Sequence, residues 1–224
     1  MYVRKINLRF FKISGKYANV LFRLDLHDFA KLLIDLGYSI TASLPPRTFK
    51  GIVGGKISIA HKLPGFLVEV NTESHIIGIS SPQPELALQE FKLIEDSLKE
   101  KLFLELKPHY YEVLVEAEIE GKYSPIDTIR KIGSKINIIN KLTKSIGLDI
   151  NLYSIKISKP QGTPDATEWY DLEIHPSPIR PTKFYYIAIV YRKPTITEIT
   201  SFVSKLNTTL TNTIITLENS ANNL

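Results

Sequence analysis

Residues 64–85, with the sequence PGFLVEVNTESHIIGISSPQPE, contain two short apolar segments joined by a polar turn. The segments Phe66–Asn71 and His75–Ser80 are rich in β-branched residues, which favours strands. Pro82, Pro84 and Glu85 follow, and prolines with an early acidic residue are typical of a helix start. The stretch therefore predicts a pair of antiparallel strands that leads into a helix.

Four segments of the chain have the apolar periodicity of amphipathic helices. They are Asp25–Leu36, Gln83–Phe103, Pro125–Ile146 and Thr195–Leu217. Strands are predicted between them at Val3–Phe11, Tyr17–Leu24, Lys56–His61, Phe66–Asn71, His75–Ser80, Tyr111–Glu120, Asn151–Ser158, Trp169–His175 and Phe184–Arg192. Runs of strands followed by a long helix predict an α+β fold, with helices packed on one face of one or two antiparallel sheets.

The two halves of the chain resemble each other. Leu32–Ile40 is similar to Leu142–Ile150, Phe66–Val70 is similar to Tyr170–Ile174, and Pro82 corresponds to Pro194 before a helix. The three matches occur in the same order, which indicates a duplicated β-α-β-β(-β)-α unit of about 110 residues. We expect a first repeat in residues 1–107 and a second in 108–224; chance similarity is the alternative. The halves could form separate domains or share one sheet.

This layout resembles the two-repeat fold of the TATA-box-binding proteins. The local similarity is Pro64-Gly65 before a strand, then a turn, a second strand and the helix after Pro82. In the second half Pro176–Pro181 replaces the expected tight turn, and the family's DNA-kinking phenylalanines have no clear counterparts. The resemblance is to layout, in which two such halves could join their sheets into one curved saddle, and shared layout does not establish shared function.

Composition excludes several classes of site. The 224 residues include no cysteine, so disulfides, thiolate metal sites and cysteine nucleophiles are absent. No apolar run approaches the ~20 residues of a membrane helix, and no signal sequence follows Met1. We therefore expect a cytoplasmic protein with no membrane partner. A single methionine and few glutamines, with abundant lysine and isoleucine, resemble the composition of thermophilic archaeal proteins.

The net charge of +5 is concentrated in the first half. Residues 1–107 carry 15 basic and 11 acidic side chains, whereas residues 108–224 carry 13 and 12. Basic residues alternate with aromatic ones before the first acidic residue, Asp25, and this pattern suits phosphate neutralisation and base stacking. The candidate nucleic-acid-binding residues are Arg4, Arg9, Lys12, Lys16 and Arg23. Alternatively, these charges prevent edge-to-edge aggregation of a strand.

An acidic strand is the second candidate site. Glu116, Glu118 and Glu120 alternate with apolar residues, which places three carboxylates on one face of a strand. Such oxygen ligands suit a hard cation such as Mg²⁺, and paired carboxylates can also perform acid–base chemistry. A solvated face, or ion pairs with a basic strand that carries Arg4 or Lys156, is the alternative.

The strand Phe184–Val190 is apolar on both faces, which is typical of a strand covered on both sides. One face can pack against helices. The other requires a ligand, the rest of the chain or a second subunit. The candidate homodimer-interface residues are Tyr185, Ile187, Ile189 and Tyr191.

No complete catalytic motif occurs in the sequence, so no catalytic residue is assigned and no cofactor is expected. The leading interpretation is a non-catalytic binding protein with nucleic acid as the candidate partner. The alternatives are a small-ligand or metal-binding enzyme that uses the acidic strand, and a homodimeric structural or interaction protein.

Overall fold

The computed structural model describes residues 4–18, 24–42, 56–63, 65–160 and 166–222. The strands are β1 (Ile6–Tyr17), β2 (Ser39–Ile40), β3 (Lys56–Lys62), β4 (Phe66–Asn71), β5 (Ile76–Ser80), β6 (Pro108–Glu120), β7 (Ile155–Ser158), β8 (Trp169–Pro176) and β9 (Phe184–Lys193). The helices are α1 (Leu26–Asp35), α2 (Pro84–Lys101), α3 (Pro125–Ser134), α4 (Asn137–Ile146), α5 (Ile196–Ser204) and α6 (Leu206–Asn222). The expected mixture of helices and antiparallel strands is confirmed.

All nine strands of the described residues belong to one antiparallel sheet, in the order β2-β3-β4-β5-β1-β6-β9-β8-β7. Strands β1 and β6 are the longest and pair along most of their length at the centre. Strands β5 and β9 flank them on either side. The strands of the two predicted repeats therefore lie in one continuous sheet, joined at β1 and β6.

One side of the sheet lies in the hydrophobic core. Phe11, Ile13 and Tyr17 of β1 are buried there, and so are alternate residues of β4, β5, β6 and β9. Residues of α1, α2, α3, α5 and α6 pack in the same core, for example Phe29 of α1 and Phe91 of α2. Helix α4 contributes no buried residue. Alternation along a strand places the intervening side chains on the opposite side of the sheet.

Strand β1 differs from its prediction. The sequence predicts separate strands at Val3–Phe11 and Tyr17–Leu24, whereas β1 is continuous through Ser14-Gly15. A Cβ atom at Gly15 would lie 2.7 Å from the Tyr17 hydroxyl, so glycine here permits close packing and does not mark a turn. Residues 19–23 of the second predicted strand lie outside the described residues.

Two of the four predicted helices are divided. Helix Pro125–Ile146 ends at Ser134 and resumes as α4, because Ile136 adopts an extended backbone conformation. Gly133 and Ser134 have low helix propensity, and a Cβ atom at Gly133 would lie 2.5 Å from the Cβ of Leu152. Helix Thr195–Leu217 is divided at Lys205 into α5 and α6. In the described ranges, no helix combines the length and the apolar content needed to cross a membrane.

Candidate functional site

The side of the sheet away from the core is polar, and we call it the polar face. On β1 it carries Arg9, Lys12 and Lys16, and on β6 it carries the carboxylates of Glu112, Glu116, Glu118 and Glu120. A β-bulge between Leu8 and Phe10 shifts the β1–β6 register. A bulge re-aims the side chain at its position, and Arg9 at this bulge reaches Glu118.

Glu118 is the anchor of a charged cluster on this face. It is buried, and its carboxylate accepts hydrogen bonds from Arg9 Nε at 3.1 Å, Arg180 at 2.6 Å and the Ser177 hydroxyl at 2.6 Å. Burial alone would raise the pKa of Glu118, but the hydrogen bonds from Ser177, Arg9 and Arg180 lower it to about 2. Glu118 is therefore ionised at neutral pH and holds two guanidinium groups.

Ser177 positions Arg180. The Ser177 hydroxyl accepts hydrogen bonds from the backbone N–H groups of Ile179 and Arg180, at 3.3 and 3.2 Å. These bonds organise the loop between β8 and β9, and the Arg180 guanidinium lies 3.9 Å from the ring centre of Phe184. Stacking on an aromatic ring and a charged hydrogen bond together fix the direction of the guanidinium.

Lys183, the residue before β9 begins, completes the cluster. Its ammonium lies 3.2 Å from a Glu120 carboxylate oxygen and 5.8 Å from the Phe184 ring centre. The side chains of Arg9, Arg180 and Lys183 are 39–63% exposed, whereas that of Glu118 is buried. We call these three cations with Glu118 and Glu120 the arginine cluster. It presents cations to solvent and keeps one of its two carboxylates beneath them.

The other predicted nucleic-acid-binding residues lie elsewhere. Arg4 is only 5% exposed in its side chain, forms an ion pair with Glu218 and donates to the Glu120 carbonyl at 3.0 Å. Lys12 pairs with Glu69, and Lys16 lies 5.7 Å from the ring centre of Tyr110. Arg23 lies outside the described residues. Of the predicted cations, Arg9 alone among the described residues belongs to the arginine cluster.

The three carboxylates predicted to bind a metal have separate partners. Glu116 accepts a hydrogen bond from the Tyr186 hydroxyl, Glu118 anchors the arginine cluster, and Glu120 pairs with Lys183. Within the described part of the chain, no group of three or more acidic, histidine or cysteine side chains is placed to hold a metal ion. Glu118 and Glu120 form ion pairs with basic side chains, as in the alternative, whereas Glu116 bonds a tyrosine hydroxyl.

The residues predicted to form a homodimer interface lie on the core side of β9. Tyr185, Ile187 and Ile189 are buried inside the single chain. Tyr191 is partly buried and stacks on Phe202 of α5, with ring centres 4.2 Å apart. Packing within the chain therefore covers these four side chains, and they are not a free surface for a second copy.

The sequence does not predict the roles of Ser177 and Arg180 in the arginine cluster. It also does not predict a carboxylate in the core. Glu95 of α2 is buried and accepts hydrogen bonds from the hydroxyls of Tyr17 at 2.7 Å and Tyr111 at 3.1 Å. Burial raises the pKa of Glu95, against the smaller lowering effect of these hydrogen bonds and of Lys99. A glutamate on the apolar stripe of the predicted second helix is the signal that indicates such a buried carboxylate.

A groove of about 540 Å³ lies between the outer strands and α6. Its walls are the aliphatic side chains of β7 and β8 on one side and hydroxyl and amide side chains of α6 on the other. The lining residues are Ile155, Ile157, Leu172, Ile174, Thr209, Asn212, Thr213, Thr216, Leu217 and Ser220. No lining residue is charged, so the groove provides no group for acid–base chemistry.

Comparison of the chain with protein-family models, curated proteins and solved structures finds no match. The similarity to TATA-box-binding proteins therefore stays a prediction from layout, and function has to be inferred from the residues themselves.

Proposed function

We propose that the protein is a non-catalytic binding protein that contacts the phosphate backbone of a nucleic acid through the arginine cluster. The observation that carries this proposal is that one buried carboxylate, Glu118, holds the two partly exposed guanidinium groups of Arg9 and Arg180. A guanidinium offers five N–H donors, so groups not used by Glu118 remain for a phosphate.

The cluster suits a polyanion better than a single metabolite. Its three cations exceed its two carboxylates, and the side chains of all three cations are 39–63% exposed. Because the pKa of Glu118 is about 2, the orientation of both arginines persists over the physiological pH range. Electrostatic contacts to successive phosphates need fixed, outward cations of this kind.

Aromatic side chains beside the cluster support a single-stranded partner. The His175 ring stacks between two tyrosine rings. Its centre lies 4.8 Å from that of Tyr186 and 5.9 Å from that of Tyr153. Tyr153 is exposed. Unpaired bases stack on exposed aromatic rings next to cationic grooves, whereas the bases of a duplex are already stacked.

The strand order is consistent with the duplication inferred from the sequence. In both halves the first strand is central, the last strand lies next to it and earlier strands follow outward. On this interpretation the helices cover one face of the sheet in both repeats, and the polar face is the binding surface.

Fluorescence anisotropy with labelled single-stranded DNA, single-stranded RNA and duplex DNA, measured over a salt series, tests the proposal. We expect single strands to bind most tightly. The double variant Arg9→Gln/Arg180→Gln should lose two phosphate contacts, which reduces the slope of log K against log salt by about 1.4. Lys159→Gln is the matched control, because the Lys159 side chain is 40% exposed and that of Arg180 is 39% exposed.

Two results would contradict the proposal. One is the absence of binding to all three nucleic acids at low salt. The other is binding whose affinity and salt slope are the same in the double variant and in the Lys159→Gln control. Circular dichroism of each variant excludes loss of folding as the cause.

A further inference from the structure

Helix α4 has an apolar side that is exposed in the part of the chain that the structure describes. Ile138, Leu142 and Ile146 recur every four residues, so they lie along one side of the helix. Their exposures are 61%, 43% and 54%. Ile136 before the helix and Leu148 after it are exposed as well. We call these five residues the α4 stripe. A soluble helix normally buries such a side against the core.

The same region is strongly basic. Residues 125–146 carry five basic side chains and one acidic side chain, a net charge of +4. The basic residues are Arg130, Lys131, Lys135, Lys141 and Lys144. None of these five side chains forms an ion pair with another residue in the ranges that the structure describes.

We propose that α4 attaches the protein to the surface of an anionic phospholipid membrane. An exposed aliphatic stripe combined with uncompensated lysines is the pattern of helices that lie in the plane of the interface. The stripe would enter the boundary between headgroups and acyl chains. The lysines would contact lipid phosphates, which attract cations near an anionic leaflet.

Charge and shape favour a lipid surface over the other occupants. A second copy docked through α4 would bring two sets of lysines together, and like charges at an interface are unfavourable. A nucleic acid would satisfy the lysines but would leave the α4 stripe in water. An anionic membrane satisfies both features at once.

This attachment differs from spanning a membrane. The expectation of no membrane partner rests on the absence of a ~20-residue apolar run, and that absence has no bearing on surface attachment. Helix α4 has ten residues and is therefore about 15 Å long, which permits it to lie flat in the interface. Because the stripe is short, lipid binding should be reversible and should depend on both lysines and aliphatic residues.

Sedimentation with sucrose-loaded vesicles tests the proposal. One set of vesicles contains phosphatidylcholine alone, and the other contains phosphatidylcholine with phosphatidylglycerol. We expect the protein to sediment only with the anionic vesicles and to be released by high salt. Lys135→Gln/Lys141→Gln should weaken the partition coefficient about 25-fold, since each lysine near an anionic surface contributes about fivefold.

Leu142→Gln should weaken partition about tenfold or more, because an aliphatic side chain no longer enters the interface. Leu93→Gln on α2, where the leucine is 45% exposed, is the matched control and should sediment like the unmodified protein. Arg9→Gln/Arg180→Gln should also leave vesicle binding unchanged, so failure of this inference and failure of the proposed nucleic-acid function are distinguishable.

Four results would overturn the inference. They are no sedimentation with anionic vesicles, equal binding by Leu142→Gln and Leu93→Gln, concentration-dependent dimerisation that Leu142→Gln abolishes, and a much lower melting temperature for Leu142→Gln than for Leu93→Gln. The last result would mean that the α4 stripe packs within the chain, for example in the groove beside α6.

Discussion

Replacement of Arg4 by methionine should destabilise the protein strongly, although Arg4 belongs to the basic segment proposed from sequence to bind nucleic acid. Its guanidinium donates to both carboxylate oxygens of Glu218, at 3.3 and 2.5 Å. Glu218 is 1% exposed and also accepts hydrogen bonds from the backbone N–H groups of Lys122 at 2.9 Å and Tyr123 at 3.3 Å. The variant therefore leaves a buried carboxylate without its cation.

The expected cost follows from this burial. Removing one partner of a buried ion pair typically costs about 3–5 kcal/mol, because the remaining charge stays away from water. For a chain of this size, each kcal/mol lowers the melting temperature by about 2–4 °C. Arg4→Met should therefore melt about 6–20 °C below the unmodified protein. Arg4→Met/Glu218→Leu should recover part of the loss, because the carboxylate is also removed.

Arg9→Met, five residues later in the chain on β1, is the matched control. The Arg9 side chain is about half exposed, and Glu118 keeps Arg180 and Ser177 as partners when Arg9 is replaced. Its cost should stay near the ~1 kcal/mol of a partly exposed pair. Urea unfolding followed by circular dichroism measures both variants. Equal stability losses for Arg4→Met and Arg9→Met, or a loss below ~1 kcal/mol for Arg4→Met, would refute the assignment of Arg4 to the interior.

Two further predictions concern the buried carboxylates. Because the pKa of Glu118 is lowered from 4.5 to about 2, its contribution to stability is present above pH 4.5 and is lost as the pH falls from 4.5 to 2. Acid unfolding of Glu118→Gln should show less of this loss, and an unchanged pH profile would contradict the prediction. The pKa of Glu95 is raised, so unmodified protein loses stability as the pH rises from 4.5 through the folded-state pKa. Glu95→Gln should remove this pH dependence while its amide oxygen still accepts the tyrosine hydroxyls. Glu95→Leu, which leaves both hydroxyls without that acceptor, should cost about 1–3 kcal/mol for each; denaturant midpoints at several pH values that rank the two variants in the opposite order would refute this.

Local patterns in the sequence predict most helices and strands because capping and alternation act over a few residues. Asp25, the first residue of the first predicted helical segment, accepts the hydrogen bonds of an N-cap, and β4 has the predicted bounds Phe66–Asn71. The close approach of Leu152 to Gly133, just before the break between α3 and α4, is instead visible only in the fold, where a Cβ atom at Gly133 would lie 2.5 Å from the Leu152 Cβ. Gly15 lies inside the continuous strand β1, packed close to the Tyr17 ring, whereas the sequence predicts separate strands on either side of it.

The arginine cluster could be predicted only in part. Arg9 stands out in a basic aromatic segment, but its partner Glu118 lies 109 residues away and reaches it through β1–β6 pairing. Ser177 and Arg180 come from a proline-containing loop whose role is visible only when β8 and β9 bring it beside β6. The net charge of the second half does not indicate that residues 125–146 carry a net charge of +4, because acidic residues elsewhere in that half balance it.

The pairing of β1 with β6 has a consequence for the order in which the protein folds. Strand β1 is synthesised first, yet its central partner ends at Glu120, more than one hundred residues later. Until then the growing chain presents one edge of β1 without its strand partner, and such an edge can join other chains. Contacts this distant in sequence also slow folding. A nascent chain is therefore vulnerable to misassembly until β1 pairs with β6. Two fragments separated between Lys107 and Pro108 should associate through the same pairing.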